Sequence, residues 1–255
     1  MDSAVLDAAR RTAGQRAALR TNMFAIVTQF IVAGPIMVLF ANDVLRFEPA
    51  TIGALLGLLP LVGLIRLPLL GWLGRFRRRR LLIATDCLRL GMVLLLLVLP
   101  LATLQSAWFY AGLLVLFTAL QQIGMGTVWQ PLMRDITTSQ DRGRFFARMR
   151  FVFTFVNACT TGLIAAVVGD QIDLDTYRVL LVGVLLAIAN HLFWARRIPA
   201  RDDVPEDGHS QEGEDRPTTW QVLRESRLLR RPLLIAVLFA LGNLPLVVVY
   251  LRQGL

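Results

Sequence analysis

The chain has 255 residues, 55% of them hydrophobic, with 27 basic against 18 acidic side chains and a formal net charge of +9. An ordinary soluble domain is about 45–50% apolar even with glycine counted. A mean hydropathy of +0.57, concentrated in uncharged runs as long as a bilayer is thick, excludes a soluble protein with one buried core.

A hydrocarbon core about 30 Å thick takes roughly 20 helical residues to cross. Backbone amides in lipid must bond within their own segment, so each crossing is expected to be a helix. The expected fold class is therefore all-α, a polytopic helical bundle of seven spans. Taken in chain order, residues 1–21 hold Asp2 and Asp7 and have no signal-peptide pattern, so they are expected to be a cytoplasmic N-terminal segment. Span one is 22–42, uncharged throughout and interrupted by Pro35. Span two is 50–73, with Arg66, Pro60, Pro68 and a Gly53/Gly57 pair suited to close helix contact. Span three, 81–101, contains Asp86 and Arg89. Spans four, five and six are 108–130, 151–169 and 178–195.

Residues 196–231 form a long polar linker. Its middle, "RDDVPEDGHSQEGEDRP", has seven acids and no apolar periodicity. The run "TTWQVLRESRLLRRP" is expected to be an amphipathic helix with Trp220, Leu223 and Leu228 toward the membrane. Span seven is 232–251. Cys87 and Cys159 fall in spans without metal-ligand spacing and are expected to be small apolar fillers. Trp129 is expected to anchor at the interface.

Every basic residue is arginine. The stretch "GWLGRFRRRRLLI" places five arginines within six residues, Arg75 and Arg77 to Arg80, between two apolar runs. Threaded with the N-terminus inside, the chain puts 22 arginines in cytoplasmic segments and three outside (Arg46, Arg178, Arg252), with Arg66 and Arg89 in the membrane. That asymmetry is the positive-inside pattern and predicts a cytoplasmic N-terminus. It also accounts for the positive charge without nucleic acid, so the expected partner of the arginines is the bilayer surface.

Polar side chains in lipid either find a partner or line a wet cavity. Arg66 lies about 13 Å in from Arg75, and Asp86 and Arg89 about 9 and 13 Å in from Arg80, at 1.5 Å rise per residue. Asp86 and Arg89 are three apart and share one helix face. These depths match, which predicts a charge network of Arg66, Asp86 and Arg89. His191, near the end of span six, is expected to snorkel to the interface.

The order of these features resembles the major facilitator superfamily, whose members have two six-helix halves joined by a cytoplasmic linker. The family's loop motif between spans two and three, G-x-L-x-D-R-x-G-R-R, is matched here at Gly71, Leu73, Arg79 and Arg80. Its acid falls on Arg75, its first arginine on Phe76 and its second glycine on Arg78. "PLMRDITTSQDRGRFFARMR" resembles the family's loop after span four through Pro131, Arg134, Arg142, Gly143 and Arg144. The family's span-four arginine and its Gly-Pro motif in span five have no counterpart in "LQQIGMG" or "FVFTFVNACTTGLIAAVVGD".

The resemblance implies a secondary transporter moving a small solute, with or without a coupling ion, in a bacterial cytoplasmic (inner) membrane. Spans one, two, four and five would face the cavity, which makes Thr28, Gln29, Gln121, Gln122, Asn157, Thr160 and Thr161 the candidate solute contacts. Arg66, Asp86 and Arg89 would form a cytoplasmic gate network. By this layout the chain is an N-terminal bundle (22–195), a linker (196–231) and one helix (232–255) of a second half. It is thus expected to be partial and to need a C-terminal half or a second copy. Other function classes for a chain of this layout are a seven-span sensor or scaffold, an inactive fragment, and an intramembrane enzyme. The chain has no H-E-x-x-H or G-x-S-x-G motif and only His191 and His209 as histidines, so no catalytic residues, metal or cofactor are expected.

Overall fold

A computed structural model describes residues 8–73, 76–168 and 172–200, without the side chains at 60, 64–68, 70 and 71. The linker from residue 201, the amphipathic run, the seventh span, Arg75 and the side chain of Arg66 lie outside the described residues, while the backbone of Gly71 lies in the last turn of a helix. Among those described, all regular structure is helical: α1 (Ala8–Val32), α2 (Pro35–Asp43), α3 (Pro49–Leu73), α4 (Arg78–Val98), α5 (Leu101–Leu104), α6 (Ala107–Gln121), a π-helical turn (Gln122–Val128), α7 (Trp129–Asp135), α8 (Arg142–Val168) and α9 (Leu174–Ala195). Among the described residues, five stretches are long and apolar enough to cross a membrane: Ala8–Asp43, Arg78–Val98, Ala107–Asp135, Arg142–Val168 and Leu174–Ala195. The fold is an all-α polytopic membrane bundle. The 25-residue α3 runs through Pro60 and Pro68 without ending.

Several boundaries differ from the sequence expectation. The first helix begins at Ala8, so residues 8–21 continue span one as helix. Its apolar side, Ala17, Ala18 and Leu19, packs with Leu132, Met133, Ile136, Phe145, Ala195 and Ile198 at the arginine-rich end. The loop expected over 131–150 is mostly helix, because α7 extends to Asp135 and α8 starts at Arg142.

The break in span one sits at Gly34, just before Pro35 at the start of α2. Proline supplies no N–H for the preceding turn. Glycine fits because a Cβ here would lie 2.4 Å from the Phe30 carbonyl oxygen. The turn after α2 carries Arg46 at φ 58°, a left-handed conformation rare for a non-glycine residue.

Helix packing follows a chain of neighbours: α8 rests on α1, α1 on α9, α9 on α4, α4 on α6 and the π-turn, and these on α3. At the end away from the arginine-rich loops Phe40 stacks on Tyr177 with ring centroids 3.7 Å apart, and Tyr110 meets the edge of Phe47 at 5.9 Å. Asp43 accepts the Ile172 N–H at 3.2 Å, tying the end of α2 to the turn before α9.

Two single-residue expectations are corrected. Cys87 and Cys159 are not fillers; both are free and exposed on outward helix faces. Trp129 is not an interface anchor but is buried in the arginine-end core, where the continuation of the helix to Asp135 moves it inside the bundle.

Candidate functional site

The polar centre of the bundle lies between α4 and α9. Asp86 and Arg89 are one turn apart on α4, and Arg89 Nη1 donates to Asp86 Oδ1 at 2.9 Å. His191 on α9 brings Nε2 to 2.9 Å from Asp86 Oδ2. This approach is close but poorly aligned, so it is an electrostatic contact rather than a straight hydrogen bond. All three side chains are 2% exposed. One carboxylate therefore faces a guanidinium on its own helix and an imidazole on the neighbouring one. A bare carboxylate lone pair would repel an unprotonated nitrogen, so the close Nε2 is read as the ring nitrogen that carries hydrogen.

Arg89 is only partly served. Its Nε and Nη2 have no acceptor among the described residues. Its guanidinium lies over the Phe117 ring of α6, 4.6 Å from the centroid. A cation on an aromatic face gains from the ring quadrupole, about 2 kcal/mol when desolvated. That supports the burial without replacing two hydrogen bonds.

The pairing expected of Asp86 with Arg89 is present. The side chain of Arg66, the third member expected, falls outside the described residues. His191 does not snorkel; it turns inward and meets Asp86. Sequence reasoning missed it because the residue lies five positions before the helix-ending Arg196, where a long side chain can equally reach water. The available signal was depth. His191 and Asp86 sit at similar distances from the arginine-rich end of their antiparallel helices.

Next to this cluster is the π-turn. Gly124 packs so closely on α4 that a Cβ would meet Thr85 Oγ1 at 2.7 Å. That hydroxyl is held by the carbonyls of Leu81 (3.1 Å) and Leu82 (2.9 Å). A π-turn carries an extra residue in the helical ladder and is frequent at functional sites. Here it falls in "QIGMGTV", directly after Gln121. Gln122 points toward α3, with its amide carbon 3.8 Å from where a Cβ of Gly63 would be.

The other candidate contacts are dispersed. Thr28 is buried and its hydroxyl donates to Phe24 O at 3.1 Å, while Gln29 beside it is exposed. Gln121, Gln122 and Asn157 are half-buried. Thr160 is buried, and Thr161 is exposed and donates to Asn157 O at 2.8 Å. Of the loop-motif residues, Arg79 and Arg80 lie in the first turn of α4 and Arg142, Gly143 and Arg144 in the first turn of α8. Arg78, beside them, pairs with Asp135 at the end of α7 at 3.3 Å. Spans three and four are thus joined at the arginine-rich end by an ion pair and deeper in by the Thr85–Gly124 contact.

Among curated proteins, none matches the chain. A family model for the Major Facilitator Superfamily matches residues 21–252, which takes in every helix from the second half of α1 onward. An all-helical membrane bundle, ionisable groups paired inside it and helices broken within their spans accord with that match, and the chain belongs to the Major Facilitator Superfamily of membrane transporters.

Proposed function

We propose that the chain forms the N-terminal six-helix bundle of a secondary transporter that moves a small polar solute by alternating access, with its N-terminus on the cytoplasmic side of a bacterial inner membrane. The observation that carries this reading is the interrupted fourth span. A π-turn that begins at Gln122, directly after Gln121, interrupts it where it packs on α4. Irregular backbone at membrane depth is tolerated where it lines a cavity or is buried in protein. Discontinuous helices are where transporters of this kind hold solutes.

In this reading Gln29, Gln121, Gln122, Asn157 and Thr161 offer amide and hydroxyl groups to the solute. Thr28 and Thr160 act in helix packing, because both are buried. Asp86, Arg89 and His191 hold α9 to α4 so that the outer helices move as one body, with Arg66 and the arginines at Arg75, Arg79 and Arg80 at the inner gate. The opposite cavity wall comes from a second bundle or a second copy. Exposed Phe151, Phe155, Leu163 and Val167 on α8 and Leu58, Leu61 and Trp72 on α3 offer apolar surface for it or for lipid.

The test is uptake into proteoliposomes. The chain is reconstituted alone and together with any co-purifying helical partner, and is offered labelled amino acids, sugars, nucleosides and organic cations with and without a proton or sodium gradient. Gradient-dependent accumulation that falls at least tenfold in the Gln121→Ala/Gln122→Ala variant supports the reading. Accumulation untouched by that variant overturns the assignment of Gln121 and Gln122.

A further inference from the structure

The arginine-rich end of the α1–α9 pair carries a second constellation that the transport reading does not use. Trp194, in the last turn of α9, is half-buried. Arg20 from α1 holds its guanidinium 4.2 Å from the Trp194 ring centroid. Arg197, just past the end of α9, lies 3.9 Å from the Phe193 ring and 4.8 Å from that of Trp194. Its position is set by its backbone N–H, which donates to Trp194 O at 3.0 Å. The chain beyond it is pinned to α1, since Pro199 closes on Gly14. Two cations, one on α1 and one just past the end of α9, therefore share one aromatic platform. Arg16, one turn from Arg20, and Arg196 are exposed beside them.

Neither cation has an acidic partner among the described residues. The described carboxylates at this end are Asp135, paired with Arg78, and Asp141, bonded to Thr138. Cations gathered without counter-charge at the membrane boundary attract an anion. The surface leading to them indicates what kind. Val179, Val182, Leu186 and Phe193 are exposed large apolar residues at helical spacing along α9, and this stripe runs toward Arg197. A track of that kind fits acyl chains, and the platform at its end fits a headgroup phosphate. The acids at 202–215 could offer the guanidiniums an anion but have no use for the apolar stripe.

We infer that Arg20, Arg197 and Trp194 form a seat for the phosphate of an anionic phospholipid whose chains lie along the exposed face of α9. The guanidiniums would donate to the phosphate oxygens while the indole keeps both cations oriented, and zwitterionic lipid, whose own ammonium offsets its phosphate, would be held less tightly.

Native mass spectrometry of the full chain in mild detergent tests this without reference to transport or membrane orientation. Dioleoyl-phosphatidylglycerol and dioleoyl-phosphatidylcholine are titrated against the protein and against two variants of equal charge loss, R20Q/R197Q and R142Q/R144Q. The expected result is a phosphatidylglycerol preference that falls about tenfold or more in R20Q/R197Q, from roughly 1 kcal/mol per arginine, and changes less than about twofold in R142Q/R144Q. Equal losses in both variants, or no preference in the unaltered chain, overturn the inference. So does a preference that emerges only after Asp202, Asp203, Glu206 and Asp207 are changed to their amides, which would make the linker the occupant. Competition by inorganic phosphate alone at the lipid's concentration would mean a free-anion site and likewise overturn it.

Discussion

Asp86 on α4 and His191 on α9 stand 2.9 Å apart in the interior of the bundle, and the same carboxylate accepts from Arg89 at 2.9 Å. Asp86 is the shared element, so its loss leaves one buried cation without its carboxylate, on the Phe117 ring alone, and one buried imidazole without its acidic neighbour. Removing one partner of a buried pair is strongly destabilising, about 3–5 kcal/mol, because the remaining charge stays desolvated. Asp86→Ala is expected to lower the thermal unfolding midpoint in detergent more than Asp86→Asn, which keeps an acceptor. A double-mutant cycle between Asp86 and His191 is expected to give a coupling of about 1 kcal/mol or more. Additive effects would mean that the contact carries no energy.

Gly124 seats the fourth span against Thr85 of α4, where a Cβ would meet the Thr85 hydroxyl at 2.7 Å. A methyl at Gly124 would press on a hydroxyl fixed by two carbonyls. Gly124→Ala is expected to destabilise by about 1–3 kcal/mol, the usual effect of overpacking. Adding Thr85→Ala removes the obstructing oxygen and should recover much of that loss. If the double variant is as unstable as the sum of the singles, the contact is not the reason glycine stands there.

At Gly34 the obstacle is backbone. A Cβ would lie 2.4 Å from Phe30 O, and a carbonyl in a helix cannot rotate away as a side chain can. Gly34→Ala is therefore expected to reduce folded yield, and the yield should not recover when Phe30 is changed to Ala, because the clashing atom remains. Size-exclusion chromatography of the fluorescently tagged chain reads both outcomes.

Orientation follows from the arginine asymmetry and is checked by thiol accessibility. Cys87 and Cys159 are both exposed and are first changed to Ala. Single cysteines then replace Thr12, Asp175 and Ser210. Gln15 is avoided because its amide donates to Ile136 O at 3.0 Å. With a cytoplasmic N-terminus, a membrane-impermeant maleimide added to intact cells should label only the Asp175 position. Labelling at Thr12 would invert the topology.

Asp173 caps α9 by accepting the Thr176 N–H at 2.7 Å, and that bonding holds its carboxyl below the usual carboxylate range. A depressed folded-state value contributes stability that is present above the unfolded carboxylate pKa of about 3.9. It is lost as pH falls through the lower folded value. The cap should thus hold at neutral pH and weaken only under strong acid. Asp173→Asn, which caps without ionising, should remove that part of the acid sensitivity in a stability scan from pH 7 downward.

Much of this protein is determined by local sequence alone. Uncharged runs as long as a bilayer is thick must be helices, because lipid offers their amides no other partner. The spacing of Asp86 and Arg89 puts them on one face wherever α4 packs, and Pro35 ends a turn by lacking a donor. These are short-range constraints, and among the described residues the structure keeps all three. What depends on contact between distant segments was not legible. The partner of Asp86 from across the bundle is His191, 105 positions away (191 less 86), and only the packing of α9 on α4 brings it there. The same holds for the burial of Thr28 while Gln29 beside it is exposed, for Trp129 turning inward, and for Gly124 seated on Thr85. Helix periodicity gives each side chain a direction around its own axis; which direction is the interior is decided by how the helices are arranged around one another.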